Sequence, residues 1–386
     1  MLSNQQQNKY ESNQPQHIYY SNDIINANST GDAPNQPLIF TEIRNSSIIG
    51  CAENYNVSVM RFSIDTPTLP IFIPQIQTGQ DNVNQTVYSI TMTYKTFTAT
   101  SFIQYIPSDM TQPIPASPFV AVDYSSDYYS MYSYQKWISY VNATFISCYN
   151  ALNTAVIAGA QSLATANVPF MEIDPINLTC ILNSDTIGYN SSLVNPINIY
   201  FNTALYTLFT FFQYTRYGYN AINGKNYLIN IYQNHNTILL TNLSGVAYTA
   251  LQMFQEGSSS SLMNPVEAIV ITTNMPVVAE IIGVPVVYNS SSIQNSGNSN
   301  SLNIIGDFRV PFTATNSYRP NIEYQSIGEY RLVNLYGKSS ITSITFNMFW
   351  RDKYQNLHQM YLGSGCGANI KILFRRVDFG ISGLCL

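Results

Sequence analysis

The sequence predicts a mainly β protein whose strands are interrupted by one segment that contains helices. Short runs of β-branched and aromatic residues, separated by Gly, Pro, Asn and Asp, occur before residue 105 and return after residue 257. Between them, apolar residues recur at a helical spacing. Strands on both sides of an inserted segment predict one discontinuous β domain, which closes its sheets with strands from both ends of the chain.

The N-terminal residues 1–35 are expected to form a disordered or extended arm. They are rich in Asn and Gln and poor in apolar residues. Such a segment buries too little surface to offset the conformational entropy that ordering removes.

The first part of the predicted β domain spans residues 36–104. Its clearest strand alternates two sets of residues, Val87, Ser89, Thr91 and Thr93 against Tyr88, Ile90, Met92 and Tyr94. A period of two residues is typical of a strand.

Residues 105–245 are predicted to form an inserted α/β domain. Four prolines near its start, at positions 107, 113, 115 and 118, disfavour both a regular helix and a central strand there. A helix is then predicted from apolar residues spaced by three or four, namely Trp137, Val141, Phe145, Cys148, Leu152 and Val156. A second helix is predicted near Phe201, Leu205, Leu208 and Phe212.

The second part of the β domain is predicted to span residues 246–380. Its strands follow a Ser-rich break at residues 257–261, and no repeat with a fixed period occurs in the chain. Many short strands joined by long loops favour an antiparallel sandwich. Among such sandwiches we expect a single antiparallel jelly roll, with the α/β domain as a large insertion.

Charged residues make up only 10% of the chain, whereas an ordinary soluble domain contains roughly 25%. We expect the surface to be built instead from Asn, Ser, Thr, Gln and Tyr, of which Tyr alone occurs 30 times. Low charge and abundant Tyr are typical of the buried centres of protein–protein interfaces. The composition therefore favours assembly. Biased codon usage is the alternative, although it should also raise the Lys content.

Basic residues concentrate in the C-terminal fifth of the chain. Residues 1–306 hold 7 Lys and Arg against 16 Asp and Glu, and residues 307–386 hold 9 against 5. These basic residues alternate with apolar residues of predicted strands and do not form a run. Direct nucleic-acid binding is therefore not expected.

Neither a catalytic site nor a metal site is predicted. The five cysteines contain no C-x-x-C pair, and no P-loop, G-x-S-x-G or H-E-x-x-H pattern occurs. Cys366 and His358 could act as a nucleophile and a base. A turn of small residues between two strands explains the same segment better. We expect no enzymatic activity and no cofactor.

The N-terminus lacks the basic and apolar regions of a secretory signal, and no apolar run reaches 18 residues. We expect a protein that is made in a cytosol and has no membrane span.

Several motifs follow one another from residue 318 to residue 376. They are GEYRL at 328–332, Phe349-Trp350, the DKY of residues 352–354, the Leu362-Gly363 turn and the IKILFR of residues 370–375. A second piece is the run PVEAIVI at 265–271, with Met275-Pro276 and Glu280. These residues resemble the C-terminal region of the minor capsid, or penton, proteins of virophages and related small DNA viruses of the Polinton kind.

The resemblance implies a structural component of a virion. It implies a single jelly roll with an inserted outer domain, and a homo-oligomer, a pentamer, at the fivefold vertices of an icosahedral capsid. The implied partner beyond the pentamer is the major capsid protein of the same virion. Assembly is expected in the cytoplasm of the infected host cell.

Six residues of this region are predicted to act in packing or in subunit contact: Glu329, Arg331, Trp350, Asp352, Lys353 and Tyr354. Trp350 and Tyr354 are expected to anchor packing. The charged residues are expected to find partners elsewhere, in the chain or in a neighbouring subunit.

Three other functions stay open. A major capsid protein is one, although a double jelly roll normally needs a longer chain. A virion attachment protein that binds glycans is another, because Tyr-rich neutral surfaces also stack on sugar rings. A hydrolase on a β scaffold is the third.

Overall fold

The computed structural model describes residues 15–27, 35–117, 127–218, 224–233, 236–242, 244–282, 286–289, 292–295, 300–310, 321–326 and 331–377. These residues divide into two compact units. The sandwich unit contains the described residues between 15 and 69, 266 and 310, and 321 and 377, and the central unit contains those between 70 and 265. The predicted mainly β fold is confirmed, because strands outnumber helices in the described part of both units.

The strands are numbered in chain order through both units. Those before the central unit are β1 (His17–Ile25), β2 (Gln36–Pro37), β3 (Ile39–Ile43) and β4 (Tyr55–Asp65). Those in the central unit are β5 (Gln85–Tyr94), β6 (Phe97–Gln104), β7 (Phe170–Ile173), β8 (Cys180–Asp185), β9 (Asn198–Phe201), β10 (Tyr214–Arg216), β11 (Tyr227–Ile229), β12 (Asn236–Thr241) and β13 (Ala247–Phe254). Those after it are β14 (Val266–Thr273), β15 (Glu280–Ile282), β16 (Val286–Asn289), β17 (Ser292–Asn295), β18 (Asn300–Leu302), β19 (Ile304–Arg309), β20 (Asn321–Gln325), β21 (Val333–Asn334), β22 (Ser343–Asp352), β23 (Leu357–Gln359), β24 (Tyr361–Leu362) and β25 (Gly367–Arg376).

Two antiparallel sheets face each other in the sandwich unit. One has the order β1-β25-β4-β20, with β21 also paired to β4. In the other, β22 pairs on one side with β3 and β23 and on the other with β14, and β14 pairs with β19. Aromatic rings meet between the sheets, with centroids 5.1 Å apart for Phe62 and Phe308 and 5.9 Å apart for Tyr20 and Phe346.

Strand β22 shows why this sequence forms a two-sided sheet. Its residues alternate between buried and partly exposed, and Ile344, Phe346, Met348 and Trp350 are buried. A strand with this period presents one apolar face to the opposite sheet. Strand β14, by contrast, is buried along almost its whole length, as its continuous apolar run predicts.

The central unit packs one long helix against a sheet. Its helices are α1 (Tyr134–Ala158), α2 (Thr186–Tyr189), α3 (Thr203–Leu208) and α4 (Ser260–Met263). Its two sheets have the orders β10-β11-β9-β5-β6 and β12-β13-β8-β7. Helix α1 contacts β5 and β6 of the first sheet and β7 of the second.

The first predicted helix is confirmed as α1. All six apolar residues that predicted it lie on α1 and are buried. The side chain of Ser133 caps the helix by accepting a hydrogen bond from the Lys136 amide at 3.4 Å. Trp137 is the largest buried side chain on α1, and its ring centroid lies 4.8 Å from that of Phe72 and 5.4 Å from that of Tyr88.

Tyrosine hydroxyls donate to main-chain carbonyls inside the central unit. They join Tyr105 to Tyr128, Tyr129 to Val83, Tyr140 to Ile106 and Tyr149 to Thr165, at 2.5 to 3.0 Å. All four donor side chains are buried. Tyrosine is therefore not confined to the surface, because this unit also uses tyrosine to satisfy buried carbonyl groups.

The compact units begin and end at other residues than the predicted domains. The predicted insertion spanned 105–245, whereas the central unit spans 70–265. Strands β5 and β6 belong to the central unit because α1 packs against them, and β13 belongs to it because it pairs with β8. A local alternation predicts a strand, but it does not say against which element the strand packs.

Strand β1 lies within the segment that was expected to be a disordered or extended arm. It is extended, but it is part of a sheet, because each of its residues pairs with β25 and Tyr20 is buried. Disorder is therefore wrong for His17–Ile25. Residues 1–14 and 28–34 lie outside the described residues.

The second predicted helix is short. Phe201 ends strand β9, α3 covers only Thr203–Leu208, and Phe212 lies beyond it. All four residues that predicted the helix are buried. The apolar spacing therefore identified core residues, but these residues lie in a strand, a short helix and a loop.

Candidate assembly site

The hairpin of β22 and β23 holds Trp350, one of the predicted packing anchors. Trp350 pairs across the hairpin with His358. The two rings stack with centroids 3.8 Å apart and an angle of 8° between their planes. Trp350 is only 3% exposed. Its ring is therefore packed inside its own chain.

Asp352 ends β22 and organises the turn of the same hairpin. Its carboxylate accepts hydrogen bonds from the Tyr354 amide at 2.8 Å and from the Asn356 amide at 2.9 Å. It also accepts one from the Asn356 side-chain amide at 3.0 Å, and the His358 Nε2 atom lies 3.1 Å away. Asp352 is buried, so these contacts replace the water that its carboxylate loses.

Lys353 and Tyr354 form the turn itself. Partial burial of the ammonium group lowers the pKa of Lys353, and the nearby Glu267 carboxylate opposes that shift. Glu267 also accepts a hydrogen bond from the Gln355 side chain at 3.0 Å. The turn is thus held against strand β14, which carries Glu267.

Arg331 links two further strands by ion pairs. Its guanidinium lies 2.6 Å from Glu280 on β15 and 3.4 Å from Asp307 on β19. Arg351 on β22 approaches the same Asp307 carboxylate at 3.5 Å. The predicted partners of Arg331 thus include two carboxylates of its own chain. Glu329 lies outside the described residues.

An open groove of about 480 Å³ lies beside this ion-pair network. It is lined by Glu280, Arg331 and the residues Val278, Ala279, Leu332, Val333, Asn334 and Tyr336. Val278 and Tyr336 are 57% and 48% exposed. Paired charges and exposed apolar side chains therefore stand next to each other in the sandwich unit.

His358 and Cys366, which were weighed as a catalytic base and a nucleophile, make other contacts. His358 is occupied by Asp352 and Trp350. Burial and the Asp65 carboxylate raise the pKa of the Cys366 thiol, which disfavours the nucleophilic thiolate. Among the described residues, no three His, Cys, Asp or Glu side chains are grouped to hold a metal ion. No helix in the described part of the chain is long and apolar enough to cross a membrane.

A protein-family model described as Sputnik minor capsid protein V18/19 matches residues 18–376. The chain belongs to this family. It is therefore a minor capsid protein, a structural component of a virion. The resemblance inferred from the C-terminal motifs is confirmed.

Two proteins of Sputnik virophage are similar in sequence to this minor capsid protein. "Uncharacterized protein V18" is 33% identical over 153 residues, which cover 38% of the chain and 90% of the relative. "Structural protein V19" is 26% identical over 189 residues, which cover 48% of the chain and 84% of the relative.

Two solved structures resemble the minor capsid protein over 94% of its length. A chain in the 3.5 Å cryo-EM structure of Sputnik virophage superposes with a TM-score of 0.78 and 26% identity, over 98% of that chain. The crystal structure of the mavirus penton protein superposes with a TM-score of 0.61 and 15% identity, over 100% of that chain. At 15% identity, the likeness to the mavirus protein shows a shared fold.

Sequence reasoning missed the partners of the predicted site residues in this minor capsid protein. Glu280 and Asp307 stand 51 and 24 residues before Arg331, and no local pattern joins them. His358 was weighed only as a base, although it lies six residues from Asp352. A hairpin turn between Asp352 and His358 brings their side chains together, so a turn predicted at this place in the sequence would also have predicted their contact.

Proposed function

We propose that five copies of this minor capsid protein form a penton at each fivefold vertex of an icosahedral capsid. The family match supports the role in the capsid. The fold shared with the mavirus penton protein supports the vertex position. The low charge of the chain favours extensive contact with other coat subunits.

The sandwich unit is proposed to be a single jelly roll, and its strand order is the observation that carries this. Counting only β1, β3, β4, β14, β19, β20, β22 and β25, the first sheet has the order one, eight, three, six. The second sheet has the order two, seven, four, five. Eight strands wound in this way between two facing sheets are typical of a jelly roll.

In the sequence, the central unit follows the third strand of this roll and precedes the fourth, and we propose that it is the inserted domain. The described residues contain one such set of eight strands, so a double-jelly-roll major capsid protein is less well supported. The proposed partners are four further copies and the major capsid protein of the same virion. We propose assembly in the cytoplasm of the host cell and a structural role without enzymatic activity.

Light scattering after size-exclusion chromatography, followed by electron microscopy of the full-length protein, tests this proposal. We expect particles with the mass of five subunits and images with fivefold symmetry. A reconstruction of the virion should then place the sandwich and the central unit at the vertices. A protein that stays monomeric at high concentration, with its density found only away from the vertices, would overturn the proposal.

A further inference from the structure

We infer that each ring contact joins two different edges of the sandwich unit: the β1/β3 edge of one copy and the Arg331 groove of the next. The inference rests on the proposed function and names the surfaces that would carry it. The β1/β3 edge is defined here by Tyr19, Ile25, Ile39 and Ile43. The Arg331 groove is defined by Val278, Ala279, Leu332 and Tyr336.

The β1/β3 edge has open strands in both sheets. Within the described residues, β1 pairs only with β25, and β3 pairs only with β22. The two strands lie close to each other, because the ring of Tyr20 on β1 contacts Phe346, which pairs with Phe40 on β3. Both sheets therefore offer unpaired main-chain groups on the same side of the sandwich.

Large apolar side chains flank these open strands. Ile25 and Tyr19 on β1 are 71% and 58% exposed, and Ile43 and Ile39 on β3 are 76% and 39% exposed. Monomeric proteins usually protect a strand edge with lysines, prolines or a covering loop. Within the described residues no strand pairs with the outer side of β1 or β3, and exposed isoleucines at such an edge fit a surface that another chain covers.

The Arg331 groove lies at the opposite edge. Strands β20 and β21 end the sheet that begins with β1, and β19 ends the sheet that begins with β3. The groove contains Arg331 between Glu280 of β15 and Asp307 of β19. In the groove, Val278 and Tyr336 are 57% and 48% exposed, and Leu332, next to Arg331, is 38% exposed.

Glu42 on β3 and Arg331 in the groove already have partners in the chain. On β3, Glu42 pairs with Arg44 at 2.8 Å. In the groove, Arg331 pairs with two carboxylates. Burying either surface therefore does not leave these charges alone in a desolvated interface, which would be strongly unfavourable.

A second copy of this chain is the occupant that accounts for both surfaces together. A ring with cyclic symmetry needs a heterologous contact, in which one patch meets a different patch on the next subunit. When the ring closes, both edges of every copy are buried. A partner of another sequence on one edge would leave the other apolar edge exposed on every subunit.

Two single substitutions in the full-length protein test the inference, together with a matched control. Ile43→Lys changes the β1/β3 edge and Val278→Lys changes the groove. Ile176→Lys also replaces an exposed apolar residue by Lys, at a site in the central unit that is 78% exposed. Circular dichroism and thermal unfolding would first establish that all three variants fold as the parent protein does. Because each position is highly exposed, we expect no difference there.

At protein concentrations at which the parent protein forms rings, we expect each edge variant alone to be monomeric. Ring formation by either variant should need at least about 30-fold more protein. The Ile176→Lys control should form rings like the parent. An equal mixture of the two edge variants should give dimers and nothing larger. In such a dimer, the intact groove of Ile43→Lys binds the intact β1/β3 edge of Val278→Lys.

The outcomes separate this inference from the proposed function. Rings from the parent protein and from both edge variants would overturn the inference and leave the penton proposal standing. Rings from the parent, with monomers only in the mixture, would overturn the pairing of these two edges. A parent protein that forms no rings at all would overturn both.

Discussion

The chain has two tryptophans, one in each unit, and their neighbours differ in kind. Trp137 in the central unit meets the rings of Phe72 and Tyr88 in an apolar core. Trp350 in the sandwich unit stacks on His358, which also contacts the Asp352 carboxylate. The central unit thus uses its tryptophan to join a helix to a sheet, whereas the sandwich unit uses its tryptophan to fix a hairpin.

The two units also differ in how many buried phenols they use. The central unit satisfies several loop carbonyls with phenol hydroxyls, as Tyr140 and Tyr149 do. The sandwich unit uses Tyr55 in this way for the Pro15 carbonyl, and its Asp352 and Asp65 carboxylates accept from the Tyr354 and Gly367 amides, the latter at 2.7 Å. Phenols lose their protons at high pH, and carboxylates are already ionised there. The two units should therefore respond differently to alkaline conditions.

Alkaline pH is expected to unfold the central unit first. Burial raises the pKa of Tyr140 from 10.0 to about 12 and that of Cys148 from 9.0 to about 11. Below pH 9 both groups are neutral in folded and unfolded chains, so their contribution to stability is fully present. Above pH 9 the unfolded chain loses these protons at a lower pH than the folded chain does. The free energy of unfolding therefore falls as the pH rises through 11 for Cys148 and 12 for Tyr140. For Cys148 alone the loss reaches about 3 kcal/mol, and several such groups titrate together.

Tryptophan fluorescence can measure this difference, because each unit has its own probe. In a Trp350→Phe variant the remaining signal comes from the central unit, and in Trp137→Phe it comes from the sandwich unit. Between pH 9 and 12 we expect the first signal to change at lower pH than the second. Simultaneous changes in both variants would contradict the difference between the units.

Truncation of Trp137 is expected to have the next largest effect. Trp137→Ala leaves a cavity beside Phe72 and Tyr88 in a core where Trp137 is only 1% exposed. Such a change lowers the free energy of unfolding by about 3–5 kcal/mol. Urea unfolding followed by circular dichroism measures it. Trp137→Phe is the control and should lower the free energy of unfolding clearly less, because an aromatic ring remains. Equal losses for both variants would show that ring packing is not what stabilises this core.

Removal of the Asp352 carboxylate is expected to weaken the hairpin. Asp352→Ala removes the charged acceptor of the Tyr354 and Asn356 amides, at a loss of about 2–3 kcal/mol. The Trp350 signal in urea should report it, because the hairpin places His358 against that ring. Asp352→Asn keeps one acceptor oxygen and should lose less. An unchanged urea midpoint for Asp352→Ala would mean that water replaces the carboxylate as the acceptor of these amides.

Local patterns predicted the elements of this fold better than their grouping. The stripe from Trp137 to Val156 predicted α1, because a helix brings residues three or four apart to one face. The alternation of β5 predicted a strand but not its unit, since a strand has the same period whether a helix or a sheet covers it. The motifs around Arg331 and Trp350 led to the family. The ion pairs of Arg331 were not predictable, because Glu280 and Asp307 are brought near it only by the folded sheets.

The smallest expected effect belongs to the ion pairs of Arg331, and it bears on assembly. The side chains of Arg331, Glu280 and Asp307 are each about one-third exposed, so water screens their attraction. Arg331→Met should lower the free energy of unfolding of the monomer by only about 0.5–1 kcal/mol, and less at high salt.

The control is Arg309→Met, whose side chain is 85% exposed and 3.8 Å from Glu267, and which should have almost no effect. Urea midpoints at low and high salt measure both variants. A loss of several kcal/mol in the monomer would mean that the network is desolvated before any partner arrives. A small loss in the monomer, with a much larger loss of ring formation, would show that a neighbouring subunit removes the water from these ion pairs.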